Sequence, residues 1–346
     1  MCSILVIRPH SRIAKYILTQ CLVALLFVGC HYQREFLISG RTMGTSYHIK
    51  YNVGLFFDHQ NLKTAITEAL QAVNHSMSTF DAKSEISTFN QLKDIHKSLE
   101  ISDSFFQVMK QAQKLHTMTH GAWDGTVKPI VNLWGFGHTK HQQQEPDDTQ
   151  IQQSLKQVGF QNIMITDHHL QKRIPDLELN LASIAKGFGV DQIAVVLEKH
   201  DINNYLVEIG GEVFGKGTKI NGSPWRVGIN KPQIDANVND VYLAISLQDK
   251  AIATSGDYRN YFIDGKKRYS HVIDPKTGRP VNNGVVSVSV ISDQCTFADG
   301  LATALMVMGT EAGIQLVNEI PDTECLMIRE SEGKFSLFYS SQFPKE

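Results

Sequence analysis

The chain has 346 residues, 42% of them hydrophobic and 20% charged, with a formal net charge of −2. This is the composition of a globular protein with a real core, one large domain or two ordinary ones. The near balance of charge, without an arginine- or lysine-rich stripe, argues against a nucleic-acid-binding role.

Arg8, Arg12 and Lys15 precede an apolar run from Tyr16 to Val28, broken only by Thr19 and Gln20. A basic flank and a short apolar core make a secretory signal, too short to span a bilayer comfortably as a mature helix. The run ends Leu26-Phe27-Val28-Gly29-Cys30, small residues leading into a cysteine. This resembles a lipobox, with Phe27 where leucine is usual. Residues 1–29 are therefore expected to be a lipoprotein signal peptide and residues 30–346 the mature domain, lipidated at Cys30. The plainer readings are an ordinary signal peptide or an anchor helix. With Cys2 and Cys21 gone, Cys295 and Cys325 remain, as one disulfide or as two buried thiols. No CxxC or Cys/His cluster points to zinc.

Glu35 to Val53 alternates in polarity around Met43-Gly44-Thr45, which predicts a hairpin or bent strand. Leu62 to Met77 and Ser104 to Thr119 carry apolar residues at helical spacing, the second with Ser102 or Asp103 as cap and Gly121 as stop. Residues 138–148 read as a polar loop, and Asp148 to Val158 as a short helix. Ser183 to His200 reads as a helix despite Gly187 and Gly189. Strands with glycine turns follow over Leu206 to Ile229 and Val241 to Ala253, then a hairpin at Asp264-Gly265. Val285 to Ile291 alternates strictly and reads as a strand, and Phe297 to Met308 is an apolar helix. A further helix and two strands close the chain. Hairpins outnumber strand–helix–strand units, so the expected class is α+β, with mixed, largely antiparallel sheets and packed helices.

Four clusters place acids, glycines or histidine where a plain core would not. Asp299 and Thr303, four apart, share one helical face and offer oxygen to a hard cation such as Mg²⁺. Asn180 to Asp191 passes from a strand end into a glycine-rich helix start, where backbone amides and Lys186 can hold phosphate. His271 precedes the turn Asp274-Pro275-Lys276-Thr277-Gly278 and is suited to take a proton near neutral pH. Residues 41–45, 77–87 and 121–124 combine sulfur or aromatic side chains with glycine, a combination that can face a flat heterocycle. Each cluster alone has a plainer reading as core, turn or cap.

Together they resemble the ApbE family, the FAD:protein FMN transferases. The carriers are RTMGT (41–45), MSTF with SEIS (77–87), GAWD and PIVNLWGFG (121–137), LASIAKGFGVD (181–191), IGGEV (209–213), ATSGDYRNYF (253–262), SHVIDPKTGRP (270–280) and ADGLATAL (298–305). The resemblance implies an ApbE-like fold, related to the T-fold, that uses Mg²⁺ and takes FAD as substrate. It implies transfer of FMN to a threonine or serine hydroxyl, with release of AMP. By resemblance Asp299, Thr303 and the Ser183 carbonyl hold the metal, and His271 is the base. Met43, Phe80, Ala122, Trp123, Asp124, Asn180, Lys186 and Ile273 fall at FAD-contacting positions. Asn180 stands where the family usually has aspartate, and Phe80 where tyrosine is common.

The resemblance further implies acceptors among subunits of membrane redox complexes of the Rnf or Na⁺-translocating NADH:quinone reductase type, carrying a D-x-[S/T]-G-A-[S/T] motif. The expected place is the periplasmic side of the membrane, through the lipid anchor. Two alternatives stand beside it: an FAD-storing lipoprotein, which keeps the stacking residues and can do without His271, and a Mg²⁺-dependent FAD pyrophosphatase in which water replaces the acceptor. A dinucleotide oxidoreductase is disfavoured, because no GxGxxG follows a first strand.

Overall fold

The computed structural model describes residues 33–137, 144–232, 241–257, 260–265 and 267–344. The expected signal peptide, Cys30 and part of the polar loop at 138–148 lie outside these residues, as do Tyr258 and Arg259 of the ATSGDYRNYF run.

The chain opens with β1 (Gln33–Thr42) and β2 (Thr45–Gly54), a hairpin closed by Met43 and Gly44, both at positive φ (47° and 76°). Such two-residue turns match the twist of the strands, and glycine takes that conformation freely. Methionine does so rarely. Then come α1 (His59–Met77), α2 (Glu85–Gln91), the short β3 (Leu99–Glu100), α3 (Asp103–Met118) and α4 (Lys128–Leu133). In α1, Leu62, Ile66, Leu70, Val73 and Met77 form one buried stripe, and Asp58 caps the Gln60 and Asn61 amides. In α3, Ser102 is the cap and Phe105, Val108, Met109, Ala112 and Leu115 are buried.

Next are α5 (Asp148–Leu155), β4 (Ile163–Thr166), β5 (His169–Lys172), α6 (Ala182–Lys199), β6 (Tyr205–Ile209) and β7 (Glu212–Lys216). A ribbon of β8 (Trp225–Asn230) and β9 (Val241–Leu247) precedes β10 (Lys250–Gly256). Two small hairpins follow, β11 (Tyr261–Asp264) with β12 (Lys267–Ser270), and β13 (Ile273–Asp274) with β14 (Arg279–Pro280). The chain closes with β15 (Val285–Ser292), α7 (Cys295–Met308), α8 (Thr310–Asn318), β16 (Glu324–Ser331) and β17 (Lys334–Tyr339).

One eight-stranded sheet, ordered β1-β2-β6-β7-β10-β15-β16-β17, organises the molecule, and its neighbours are all antiparallel. The class is α+β, as the alternation of hairpins and helices implies. Helices α6 and α7 pack together against the sheet.

The strand expected over Val285 to Ile291 is β15, and its alternation does not mark an exposed face. All eight of its residues are buried. Val288 and Val290 enter the core shared with α7, while Val286 and Ile291 enter a second core with Ile229, Ile245 and Leu247 of the β8–β9 ribbon. The ribbon covers the face that alternation alone assigns to water.

Cys295 and Cys325 are both buried free thiols. Among the described residues no helix is long and apolar enough to cross a membrane.

Candidate active site

Four parts of the chain converge on one cavity of about 500 Å³, a size suited to a nucleotide-like ligand. Eleven of the twelve site residues expected from sequence line it: Phe80, Ala122, Trp123, Asp124, Asn180, Ser183, Lys186, His271, Ile273, Asp299 and Thr303. Met43 does not. It packs beneath α6, where a Cβ on Gly189 would meet its Cε at 2.6 Å.

The floor is the junction of α6 and α7. A Cβ on Gly187 would lie 2.4 Å from the Cys295 carbonyl oxygen and 2.9 Å from Asp299 Cβ, so only glycine lets the helices approach this closely. The Gly187 N–H donates to Asp299 Oδ2 at 3.0 Å. In a regular helix that N–H points at the Ser183 carbonyl, which here has a carboxylate as competitor. Asp191, one helical turn on, reaches the start of α7. It accepts from the Cys295 and Thr296 amides, each at 2.8 Å, and from Thr296 Oγ1 at 2.5 Å. No residue of α7's own N-terminus caps it by side chain, so Asp191 serves as the cap from another helix.

The charged centre is Lys186 between two acids. Its Nζ lies 2.6 Å from Glu212 Oε1 and 3.8 Å from Asp299 Oδ1. Burial opposes its charge, but Asp299 and Glu212 outweigh that and hold the ammonium above its ordinary range. Burial pushes the carboxyl of Glu212 up to about 8, with the Asp299 charge adding to it and Lys186 opposing. Asp299 is raised by burial as well, against the pull of Lys186 and the Gly187 amide.

Two buried carboxylates thus face one ammonium, and Glu212 Oε2 is buried with no hydrogen-bond partner. A divalent cation beside Asp299 would favour the charged form of both acids. The donors at hand are oxygens, the Asp299 carboxylate, the Thr303 hydroxyl and the Ser183 carbonyl, the set Mg²⁺ takes with water and phosphate completing its shell. Among the described residues no group of three His, Cys, Asp or Glu side chains is placed to hold a metal. The residues fit an open oxygen site rather than a closed protein cage. Thr303 Oγ1 is held by Ser255 Oγ at 3.1 Å.

The base candidate faces the same cavity. His271 is oriented by Asn260, whose carbonyl accepts from its Nδ1 at 3.0 Å. A carbonyl has no proton to give, so Nδ1 carries the hydrogen and Nε2 keeps the lone pair. Burial lowers its pKa below the ordinary value, against the Asn260 hydrogen bond. The imidazole is therefore neutral at pH 7 and ready to accept a proton.

The apolar wall joins Ala122, Trp123 and Ile273, with Phe80 78% exposed at the rim. Trp123 is buried and its Nε1 donates to Ser183 Oγ at 3.1 Å. Asp124 is not a free acid. Its Oδ1 accepts from the Thr126 amide and hydroxyl, and its Oδ2 from the Phe160 amide at 2.9 Å. It shapes the wall. Asn180 Oδ1 holds the Ala182 amide at 3.0 Å where α6 opens on the cavity.

Reading residues by motif left Glu212, Ser255 and Lys128 without roles. Lys128 lines the cavity and pairs with Glu178 at 2.6 Å. The signal for Glu212 was present, a lone acid after two glycines in an otherwise apolar strand.

The ApbE family model matches residues 43–327. The chain belongs to the ApbE family. An FAD:protein FMN transferase of Vibrio cholerae is 46% identical over 327 residues, covering 92% of this chain and 95% of the relative. One of Haemophilus influenzae is 38% identical over 330 residues, covering 93% and 95%. The solved structure of the flavin transferase ApbE from Vibrio cholerae superposes with a TM-score of 0.82 at 43% identity, covering 90% of this chain and 99% of that one.

Proposed function

We propose that this chain is an FAD:protein FMN transferase that links FMN to a threonine or serine hydroxyl of an acceptor flavoprotein. One observation carries the reading: a single cavity unites a neutral, oriented imidazole, a lysine flanked by acids, and an apolar wall suited to a ring system.

The acceptor hydroxyl oxygen attacks the phosphorus on the FMN side of the FAD pyrophosphate. The P–O bond to the AMP half breaks, AMP leaves, and the hydroxyl proton passes to His271 Nε2. Lys186 offsets phosphate charge, held in place by Glu212. Asp299, Thr303 and the Ser183 carbonyl are the oxygens that would hold Mg²⁺, which when bound neutralises charge developing on the pyrophosphate. The apolar wall receives the isoalloxazine and excludes water, which favours transfer over hydrolysis.

The expected setting is the periplasmic face of the membrane, with the chain anchored by lipid on Cys30 and its acceptors in Rnf- or Nqr-type complexes carrying a D-x-[S/T]-G-A-[S/T] segment. The test incubates the protein with FAD and such an acceptor, with and without Mg²⁺, and looks for flavin fluorescence on a denaturing gel. A Mg²⁺-dependent fluorescent acceptor band is expected. Free FMN and AMP with no labelled acceptor would mark a pyrophosphatase instead, and bound but intact FAD a storage protein.

A further inference from the structure

The end of the sheet away from the β6–β7 turn carries an apolar tip. Gln33, the first residue of β1, pairs with Gly54, the last of β2. Past Gly54 the chain turns through Leu55 and Phe56, 48% and 97% exposed. Asn52 ties a second turn to the same end, its amide donating to the Asn204 carbonyl at 3.0 Å and its Nδ2 to the Thr218 carbonyl at 3.1 Å. That second turn presents Ile220, 53% exposed. Lys63 stands one turn into α1, the helix that follows Leu55 and Phe56, and Lys219 precedes Ile220 in the chain.

Single exposed apolar residues need no explanation. Here three gather at one end, and one is a phenylalanine almost wholly in water, so covering it is favourable. Their position says what covers them. Gln33 follows Cys30 by three residues, a stretch that reaches about 11 Å at most. An acyl chain on Cys30 therefore brings this end of the sheet to a lipid surface.

We infer that Leu55, Phe56 and Ile220 form a membrane-contacting tip, set into the lipid interface beside the anchor, with Lys63 and Lys219 at the anionic headgroups. This rests on the anchored reading given above. It also fixes an orientation. β2 runs from Thr45 to Gly54, nine steps of about 3.3 Å, or roughly 30 Å. At its far end Thr45 and Lys186 both close on Gly210, whose Cβ would meet Thr45 Cγ2 at 2.8 Å and Lys186 Cδ at 3.2 Å. The lysine of the catalytic cavity thus stands a full strand length from the lipid, and the acceptor hydroxyl must be presented at that height.

The test uses the full chain with Phe56→Trp, reconstituted into vesicles of phosphatidylethanolamine and phosphatidylglycerol that contain acyl-brominated lipid. The native Trp123, Trp134 and Trp225 are each 1% exposed, so the new signal is read as the difference from the parent protein. Ile263→Trp, at a 65% exposed position on the β11–β12 hairpin, is the control. The expected result is blue-shifted emission at position 56 with bromolipid quenching several-fold that at position 263, repeated by Ile220→Trp. Vesicle-bound protein with water-like, unquenched emission at 56 overturns the tip while leaving the anchor standing. Shielding from aqueous iodide without bromolipid quenching overturns it in favour of a protein partner or a second copy. A chain that does not float with the vesicles overturns the tip and the anchor together.

Discussion

Glu212 meets Lys186 through Oε1 at 2.6 Å and keeps Oε2 buried without a partner. The acid is held at 2% exposure by a strand whose other residues are apolar or glycine up to Lys216. Its cost in desolvation is offset by the ion pair that fixes the Lys186 ammonium at the cavity. A hydrogen bond to a charged group contributes about 1.5–3 kcal/mol, equivalent to roughly 10- to 150-fold in a rate or binding constant. Glu212→Gln keeps an acceptor of the same shape but can no longer ionise against Lys186. Its kcat/KM for acceptor labelling should fall at least tenfold, with the fold retained on thermal melting. Labelling at the parental rate would assign Glu212 to structure alone.

His271 is expected to set the acid limb of the pH profile. Its folded pKa lies below the ordinary value because burial disfavours the imidazolium. As pH falls, the unfolded chain takes this proton first. The group's contribution to stability is therefore complete above its unfolded value of about 6.5 and is lost as pH falls through the lower folded value. Activity should follow the neutral base, flat at pH 7 and falling on an acid limb below about 6.5. His271→Ala should lower labelling by about 10²–10⁴-fold and remove that limb. Initial rates from pH 5 to 8 check both, and an unchanged limb in the variant would assign it to another group.

Gly187→Ala separates propensity from packing. In a free helix the change gains about 1 kcal/mol. Here the new Cβ meets the Cys295 carbonyl carbon and oxygen at 2.7 and 2.4 Å. That backbone cannot yield, because Asp191 holds both the Cys295 and Thr296 amides at 2.8 Å. Overpacking of this kind costs about 1–3 kcal/mol and more against fixed backbone, so the clash should win. The expected outcome is a lower melting temperature together with weaker Mg²⁺-dependent labelling, since Asp299 Cβ is also within 2.9 Å. A variant more stable than the parent would show that the helices can separate at little cost.

Much of this was legible before the fold. Hairpin, helix and cap signals located α1, α3 and α6, because those depend on neighbours in sequence. Asp299 and Thr303 were readable as a pair from their four-residue spacing. What spacing could not show was partnership across the fold. Asp191 lies in a glycine-rich run that suggests phosphate binding, yet it caps α7. Asp124 lies in an equally suggestive run, yet its oxygens are taken up by Thr126 and Phe160. β15 alternates in sequence, yet all eight of its residues are buried, one face in the core with α7 and the other in the core shared with the β8–β9 ribbon. For Asp191 and β15 the deciding groups lie far along the chain, and for Asp124 Phe160 does.

Phe80 offers the cleanest division between binding and chemistry. It lines the cavity at its rim with 78% of its surface exposed. Removing a side chain this exposed changes stability by only about 0.5 kcal/mol. Stacking of an aromatic ring on a flat heterocycle is worth about 0.5–1.5 kcal/mol, which is roughly 2- to 12-fold in affinity. Phe80→Ala should therefore raise the KM for FAD by that factor, with kcat and melting temperature near those of the parent. Phe80→Tyr should restore the KM, because the face that stacks is retained. A fall in kcat at unchanged KM would contradict this, since a ring that only holds the ground state as well as it holds the transition state leaves the chemical step untouched.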